Sequence, residues 1–228
     1  MPSENKVNFI VVGAQKSGTS ALDKYLRTNS DIEMANRKEV HFFDNEENFT
    51  GRVAYTQYHD FFNCDNFKIK GECTPIYMYW LSSMKRIYEY NSEIKIIAIL
   101  RNPIERAYSH WNMQRDRGLD NLTFSLAIKQ EVSRCCVALP LQHRKFSYVD
   151  RGFYAAQIQR IWKYFPKNQT LFIRHERLNS NLNEVLKEIS NFLVISEFGE
   201  VNSINVHSRV YESAISVNDY NYLKELYV

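Results

Sequence analysis

Val7-Asn8-Phe9-Ile10-Val11-Val12-Gly13-Ala14-Gln15-Lys16-Ser17-Gly18-Thr19-Ser20 decides how the rest of the chain is read. Val7 to Val12 is a short apolar run rich in β-branched residues, the pattern of a buried strand. Gly13 to Ser20 is a turn of small residues. Ser20 to Thr28 has the spacing of a helix. A glycine-containing turn between a strand and a helix N-terminus brings backbone N–H groups to an anion at the positive end of the helix. Lys16 adds a full charge there, and Thr19 and Ser20 add hydroxyl donors. The plainer alternative is a tight turn whose hydroxyl only caps the helix; a lysine inside the turn favours phosphate binding.

Working outward, Ile94 to Leu100 (IKIIAIL) is a nearly unbroken apolar run, as expected of a parallel strand covered on both faces. Asn102-Pro103 after it is a cap-and-start signal for a helix to about Arg117. Thr170 to Arg174, Ile32 to Ala35 and Lys68 to Cys73 read as further strands. Phe124 to Val132, Tyr154 to Tyr164, Leu182 to Phe192 and Asn218 to Val228 read as helices. Strands alternating with helices predict an α/β fold of three layers, a central parallel sheet flanked by helices. At 228 residues and 44% hydrophobic content the chain is expected to form one domain over 1–228. The connections Asn36–Gln57 and Val137–Val149 are long and polar, and loops of that kind are often functional. The Arg134 to Lys145 stretch reads equally well as a lid over a substrate or as a solvated segment.

The turn differs from a nucleoside triphosphate P-loop, in which lysine follows the second glycine; here Lys16 precedes Gly18. A magnesium-dependent enzyme would also place an aspartate at the end of the second apolar strand. That strand ends instead in Arg101, which suits a second anion.

With Lys16-Ser17-Gly18-Thr19, and Arg101-Asn102-Pro103 with Ser109 eight residues after Arg101, the chain resembles the PAPS-dependent sulfotransferase family, with its P-loop-like fold. Lys38-Glu39-Val40-His41-Phe42-Phe43, Gly71-Glu72-Cys73-Thr74-Pro75 and Arg151-Gly152-Phe153-Tyr154 extend the similarity towards the heparan sulfate type and its bacterial relatives, from Phe9 to about Arg209. The resemblance implies a nucleotide-binding transferase, a sulfotransferase that takes a sulfuryl group from 3′-phosphoadenosine 5′-phosphosulfate (PAPS) and releases 3′,5′-diphosphoadenosine (PAP). It implies that Gly13, Gln15, Lys16, Ser17, Gly18, Thr19 and Ser20 hold the 5′-phosphosulfate, with Lys16 at the bridging oxygen. Arg101 and Ser109 would hold the 3′-phosphate, and Ser208 and Arg209 stand where the family closes over the nucleotide. Lys16, Glu39 and His41 would form the chemical centre, Glu39 as general base and His41 orienting the acceptor or sharing the proton. Heparan sulfate members carry a lysine where this chain has Cys73, which argues against a heparan-like acceptor. Cys73 itself reads as a small buried residue and Glu72 as structural. Tyr108, Trp111, Trp162 and Phe165 read as packing.

The net charge of +3 is spread along the chain, so no nucleic-acid arm is expected. No apolar stretch reaches membrane-spanning length, and residues 1–6 lack the order of a secretory signal. Four cysteines without paired CxxC spacing, and six histidines far apart in sequence, suggest neither a disulfide framework nor a metal site. The expectation is a cytoplasmic monomer or homodimer acting on a hydroxyl or amine of a small molecule such as a secondary metabolite, without metal. Three alternatives stay open: a glycan sulfotransferase of the heparan type, a nucleotide kinase or phosphotransferase, and an inactive binding protein on the same fold. The last helix runs to Val228 with no stop signal, the pattern of a chain that continues.

Overall fold

A computed structural model describes residues 6–63, 68–199, 201, 211 and 213–227. Five parallel strands form the sheet: β1 Phe9–Gly13, β2 Ile32–Met34, β3 Ile69–Cys73, β4 Lys95–Leu100 and β5 Thr170–Arg174, in the order β2-β3-β1-β4-β5. The central position of β1 explains its apolar composition: its flanking strands leave only its two faces, and both are covered. Alternate residues then serve opposite cores. Phe9 and Val11 join Ile97, Ile99 and Ile173 on one face, while Ile10 and Val12 join Ile96 and Ala98 on the other.

The first face is covered by α1 (Thr19–Leu26), α8 (His175–Ser180) and α9 (Leu182–Leu193), through Leu22, Leu26, Leu178, Val185 and Ile189. The second is covered by α3 (Ser83–Tyr90) and α7 (Tyr154–Tyr164), together with an aromatic cluster around Phe43, Tyr58 and Tyr77, of which Tyr58 belongs to α2 (Tyr55–His59). This is the three-layer α/β arrangement expected. A third cluster joins α4 (Pro103–Asp116), α5 (Phe124–Lys129) and α10 (Val217–Tyr227) through Tyr108, Trp111, Phe124 and Leu223.

The sequence signals that started helices are physically present. Asn102 caps α4 by accepting from the N–H groups of Ile104 and Glu105 at 3.0 and 3.4 Å, and Pro103 supplies the preset first turn. One predicted helix is two. The apolar spacing of Phe124–Val132 runs through Gln130, but the structure breaks there into α5 and α6 (Glu131–Cys135). Glu131 turns inward to accept from the N–H groups of Val149 and Asp150 at 2.6 and 2.8 Å, while Val132 is 79% exposed. Helix α3 was not foreseen, although Met84, Ile87 and Tyr90 recur on one face; the aromatic run before it hid the start. Trp162, expected in the core, is 41% exposed, with its ring edge-on to Phe172.

Candidate functional site

The C-terminal ends of β1, β4 and β3 open on one crevice, the usual ligand position in an open α/β sheet. At the end of β1, Lys16 has φ 72° and Gly18 φ 92°, so the loop turns back on itself before α1 begins. At Gly18 a side chain would also meet His175 Nδ1 at 3.1 Å. The loop is braced from four directions. His175 donates through Nδ1 to the Ser17 carbonyl at 3.0 Å, and Arg101 Nη1 donates to the Lys16 carbonyl at 3.3 Å. Arg151 Nη1 donates to Gln15 Oε1 at 2.5 Å, and Cys73 Sγ points at the Thr19 carbonyl at 3.5 Å.

Inside this cradle the Ser17 hydroxyl is buried and makes no close hydrogen bond, with only a weak approach to the Tyr154 phenol. A buried hydroxyl so weakly partnered is costly unless something accepts or donates to it. A phosphate or sulfate oxygen, seated at the start of α1 beside the half-buried Lys16, fits that need. Arg101 faces the same space; its guanidinium is paired with Glu105 at 3.1 Å, and Tyr154 Oη donates to its carbonyl at 3.0 Å. Burial raises the Tyr154 phenol pKa, while the Arg106 and Arg101 guanidiniums and the Ser17 hydroxyl act against it. Ser109 is buried on α4, Thr19 is buried at the start of α1, and Gln15 and Ser20 are half-buried. Ser208 and Arg209 lie outside the described residues.

One strand over, the Glu39 N–H donates to the Cys73 carbonyl at the end of β3, at 3.0 Å. Glu39 and His41 both adopt left-handed backbone, φ 60° and 58°, uncommon for residues with side chains and often found where strain is kept for function. The result is a row of charges. Lys38 Nζ contacts Glu39 Oε1 at 2.7 Å, Glu39 Oε2 lies 3.6 Å from His41 Nε2, and His41 Nδ1 lies 3.0 Å from Asp44 Oδ2. Asp44 is fully buried and receives Arg144 on the same carboxylate oxygen. The Glu39 and His41 side chains remain 41% and 40% exposed, so a substrate can reach them.

Their protonation follows from this row. Asp44 first, and Glu39 second, raise the His41 pKa to about 9, against the opposing effect of burial. His41 is therefore an imidazolium at neutral pH. The contact with His41, and then the Lys38 ammonium, pull the Glu39 carboxyl down to about 2 although burial pushes it up. Burial opposes ionisation of Asp44, but the hydrogen bonds and charges of His41 and Arg144 outweigh it and its pKa is lowered.

Glu72 is sealed inside the aromatic cluster, accepting from Tyr58 Oη at 2.9 Å and Thr74 Oγ1 at 3.0 Å, and burial raises its pKa to about 7. Burial likewise raises the Cys73 thiol far above its usual range, so it is no nucleophile. Sequence reasoning brought Lys16, Arg101, Glu39 and His41 to one crevice but missed Asp44, Arg144, Arg151 and His175. Asp44 was within reach, three residues after His41. Arg144 and His175 act across 100 or more positions of sequence and left no local signal, while Arg151 stood in the Arg151-Gly152-Phe153-Tyr154 motif without its reach to Gln15 being readable there.

The "Sulfotransferase domain" family pattern matches residues 6–224. Human heparan sulfate glucosamine 3-O-sulfotransferase 3B1 is 30% identical over 186 residues, 81% of this chain and 45% of that protein. Mouse heparan sulfate glucosamine 3-O-sulfotransferase 5 is 30% identical over 189 residues, 81% of this chain and 52% of its own length. The chain thus spans about half the length of these relatives. Among solved structures, a sulfotransferase from Alicyclobacillus acidocaldarius superposes with a TM-score of 0.84 at 24% identity, covering 97% of this chain and 91% of that one. Mouse sulfotransferase SULT7A1 complexed with PAP gives 0.56 at 18% identity, over 86% and 60%. These structural likenesses concern the fold.

Proposed function

Because the chain belongs to the sulfotransferase domain family, we propose that it transfers a sulfuryl group from PAPS to a hydroxyl or amine of an acceptor and releases PAP. The observation that carries this reading is the convergence of the Lys16 cradle, its buried Ser17 hydroxyl and Arg101 on one crevice, with a row of acid–base groups one strand away. Two basic side chains from different strand ends, Lys16 and Arg101, suit a donor with phosphates at both the 5′ and 3′ positions, which distinguishes it from ATP.

The acceptor oxygen or nitrogen attacks sulfur, and the bond from sulfur to the oxygen it shares with the 5′-phosphate breaks. The proton of the acceptor passes to the Glu39 carboxylate. The negative charge gained by the departing phosphate is met by Lys16 and by the N–H groups at the start of α1. A carboxylate held near pKa 2 is a weak base, so it takes the proton late, once bonding to sulfur has made that proton acidic. As an imidazolium, His41 does not compete for the proton. With Nδ1 held by Asp44, it orients the Glu39 carboxylate through Nε2 and places a positive charge beside the reacting centre. By analogy with phosphoryl transfer, positioning and charge neutralisation do most of the work.

For the acceptor we favour a small molecule, because buried Cys73 stands where heparan sulfate enzymes carry a lysine. A glycan is the second reading, supported by the names of the relatives at 30% identity. Calorimetric titration with PAP, and with ATP plus magnesium, tests the donor. Binding of PAP and not of ATP is expected; the reverse would replace the reading with a phosphotransferase. Incubation with PAPS and parallel panels of phenols, alcohols, amines and heparan oligosaccharides then separates the two acceptor classes.

A further inference from the structure

Arg144 comes from the segment before α7, far in sequence from the acid–base row, and is held there from several sides. Its Nη1 reaches the buried Asp44 carboxylate and its Nη2 the Asp44 carbonyl, so one planar guanidinium fixes both the side chain and the backbone of that residue. The guanidinium lies 4.2 Å from the centre of the Trp80 ring. Trp80 is itself fixed: its Nε1 donates to Glu46 Oε1 at 2.8 Å, and Glu46 is clamped by Arg86. From the other side, Arg151 Nη2 donates to the Arg144 carbonyl at 2.8 Å, and the same guanidinium reaches Gln15 in the donor cradle. Arg151 is buried and rests over the Tyr79 ring at 4.6 Å.

We infer that Arg144 is a positioning residue for the base: it holds Asp44 where Asp44 can hold His41, and so sets the orientation of Glu39. This rests on the sulfuryl-transfer reading only for the identity of the reaction; the arrangement of the row is independent of it. Asp44 is the largest contributor to the raised His41 pKa. Two outcomes therefore point in opposite directions. If Arg144 supplied only charge, its removal would take a cation from beside the Asp44–His41 pair and raise the His41 pKa further. If it positions Asp44, removal releases the Asp44 loop, the bond to His41 is lost, and the pKa falls. The charged groups facing the imidazole are Glu39 and Asp44, with Lys38 behind the first and Arg144 behind the second.

The test is an NMR titration of the imidazole signals in the intact chain, the His41 signal identified by its absence in His41→Asn. In the unaltered protein His41 should titrate near pH 9. In Arg144→Ala it should move down towards the ordinary histidine value of about 6.5. Arg144→Lys keeps the charge without the two-pronged grip and should fall between; it carries the test alone if the alanine variant does not fold. PAP affinity of either variant should stay within about threefold, since the donor cradle is untouched. A His41 pKa unchanged or raised in both variants would overturn the inference. Failure of PAP to bind the unaltered protein would instead overturn the sulfuryl-transfer reading and leave the titration result standing.

Discussion

The donor cradle and the acid–base row lie one strand apart and are built by opposite means. The cradle is eight consecutive residues, Gly13 to Ser20, whose backbone turns on itself at Lys16 and Gly18 and presents the start of α1. The row takes Lys38, Glu39, His41 and Asp44 from one loop, joined by successive ionic contacts, and it depends on Arg144 from a different part of the chain. The groups that meet the donor therefore come from one continuous loop, braced by distant residues, while the acid–base row draws one of its own members' supports, Arg144, from another part of the chain. Lesions in the two regions should separate in kinetics.

The largest effect is expected at Lys16. Lys16→Ala should lower sulfuryl transfer by roughly 10³-fold, by analogy with the loss of one group that stabilises developing negative charge. Glu39→Gln, measured with saturating PAPS, should lower kcat by about 10²-fold or more while PAP affinity stays unchanged. A Glu39→Gln variant that lost PAP binding would break the division between the regions. Gly18→Ala sharpens it from the other side. The φ of 92° and the 3.1 Å approach to His175 should cost about 1–3 kcal/mol in an unfolding titration, together with weaker PAP binding.

The pH dependence follows from the row. Glu39 is held ionised down to about pH 2, so kcat/KM should show no acid limb from this group between pH 5 and 8. Lys38→Met removes one of its two cations and should move that limb up towards the ordinary carboxylate range. His41 has a folded pKa of about 9 against the usual 6.5, so its stabilising contribution is complete below about pH 6.5 and is lost as pH rises through 9. Denaturant midpoints should fall between pH 6.5 and 9.5 in the unaltered protein and fall less in His41→Gln. The smallest effect is expected at Cys73. Cys73→Ser places a hydroxyl where the thiol is buried and should cost about 1 kcal/mol in stability with little loss of transfer.

The same contrast explains what could be read in advance. Strands β1, β4 and β5 are short apolar runs, and the helix after Asn102-Pro103 announces itself by its cap, so the sheet and the donor side were legible from neighbouring residues. Lys16 and Arg101 stood out because each lies just beyond the C-terminal end of a strand. The break at Gln130 was not legible, because it follows from Glu131 reaching residues 149 and 150, a contact that no periodicity encodes. Nor was the state of His41. A histidine two residues from a glutamate does not declare its charge; the contacts with Asp44 first and Glu39 second decide the matter.

The most direct measurement is transfer of labelled sulfate from PAPS to an acceptor panel by the unaltered protein beside its Lys16→Ala variant. This reading predicts label on at least one hydroxyl or amine acceptor, PAP released in equal amount, and both lost in the variant. Label transferred equally by the variant, or PAP bound tightly with no label transferred to any acceptor class, would contradict it.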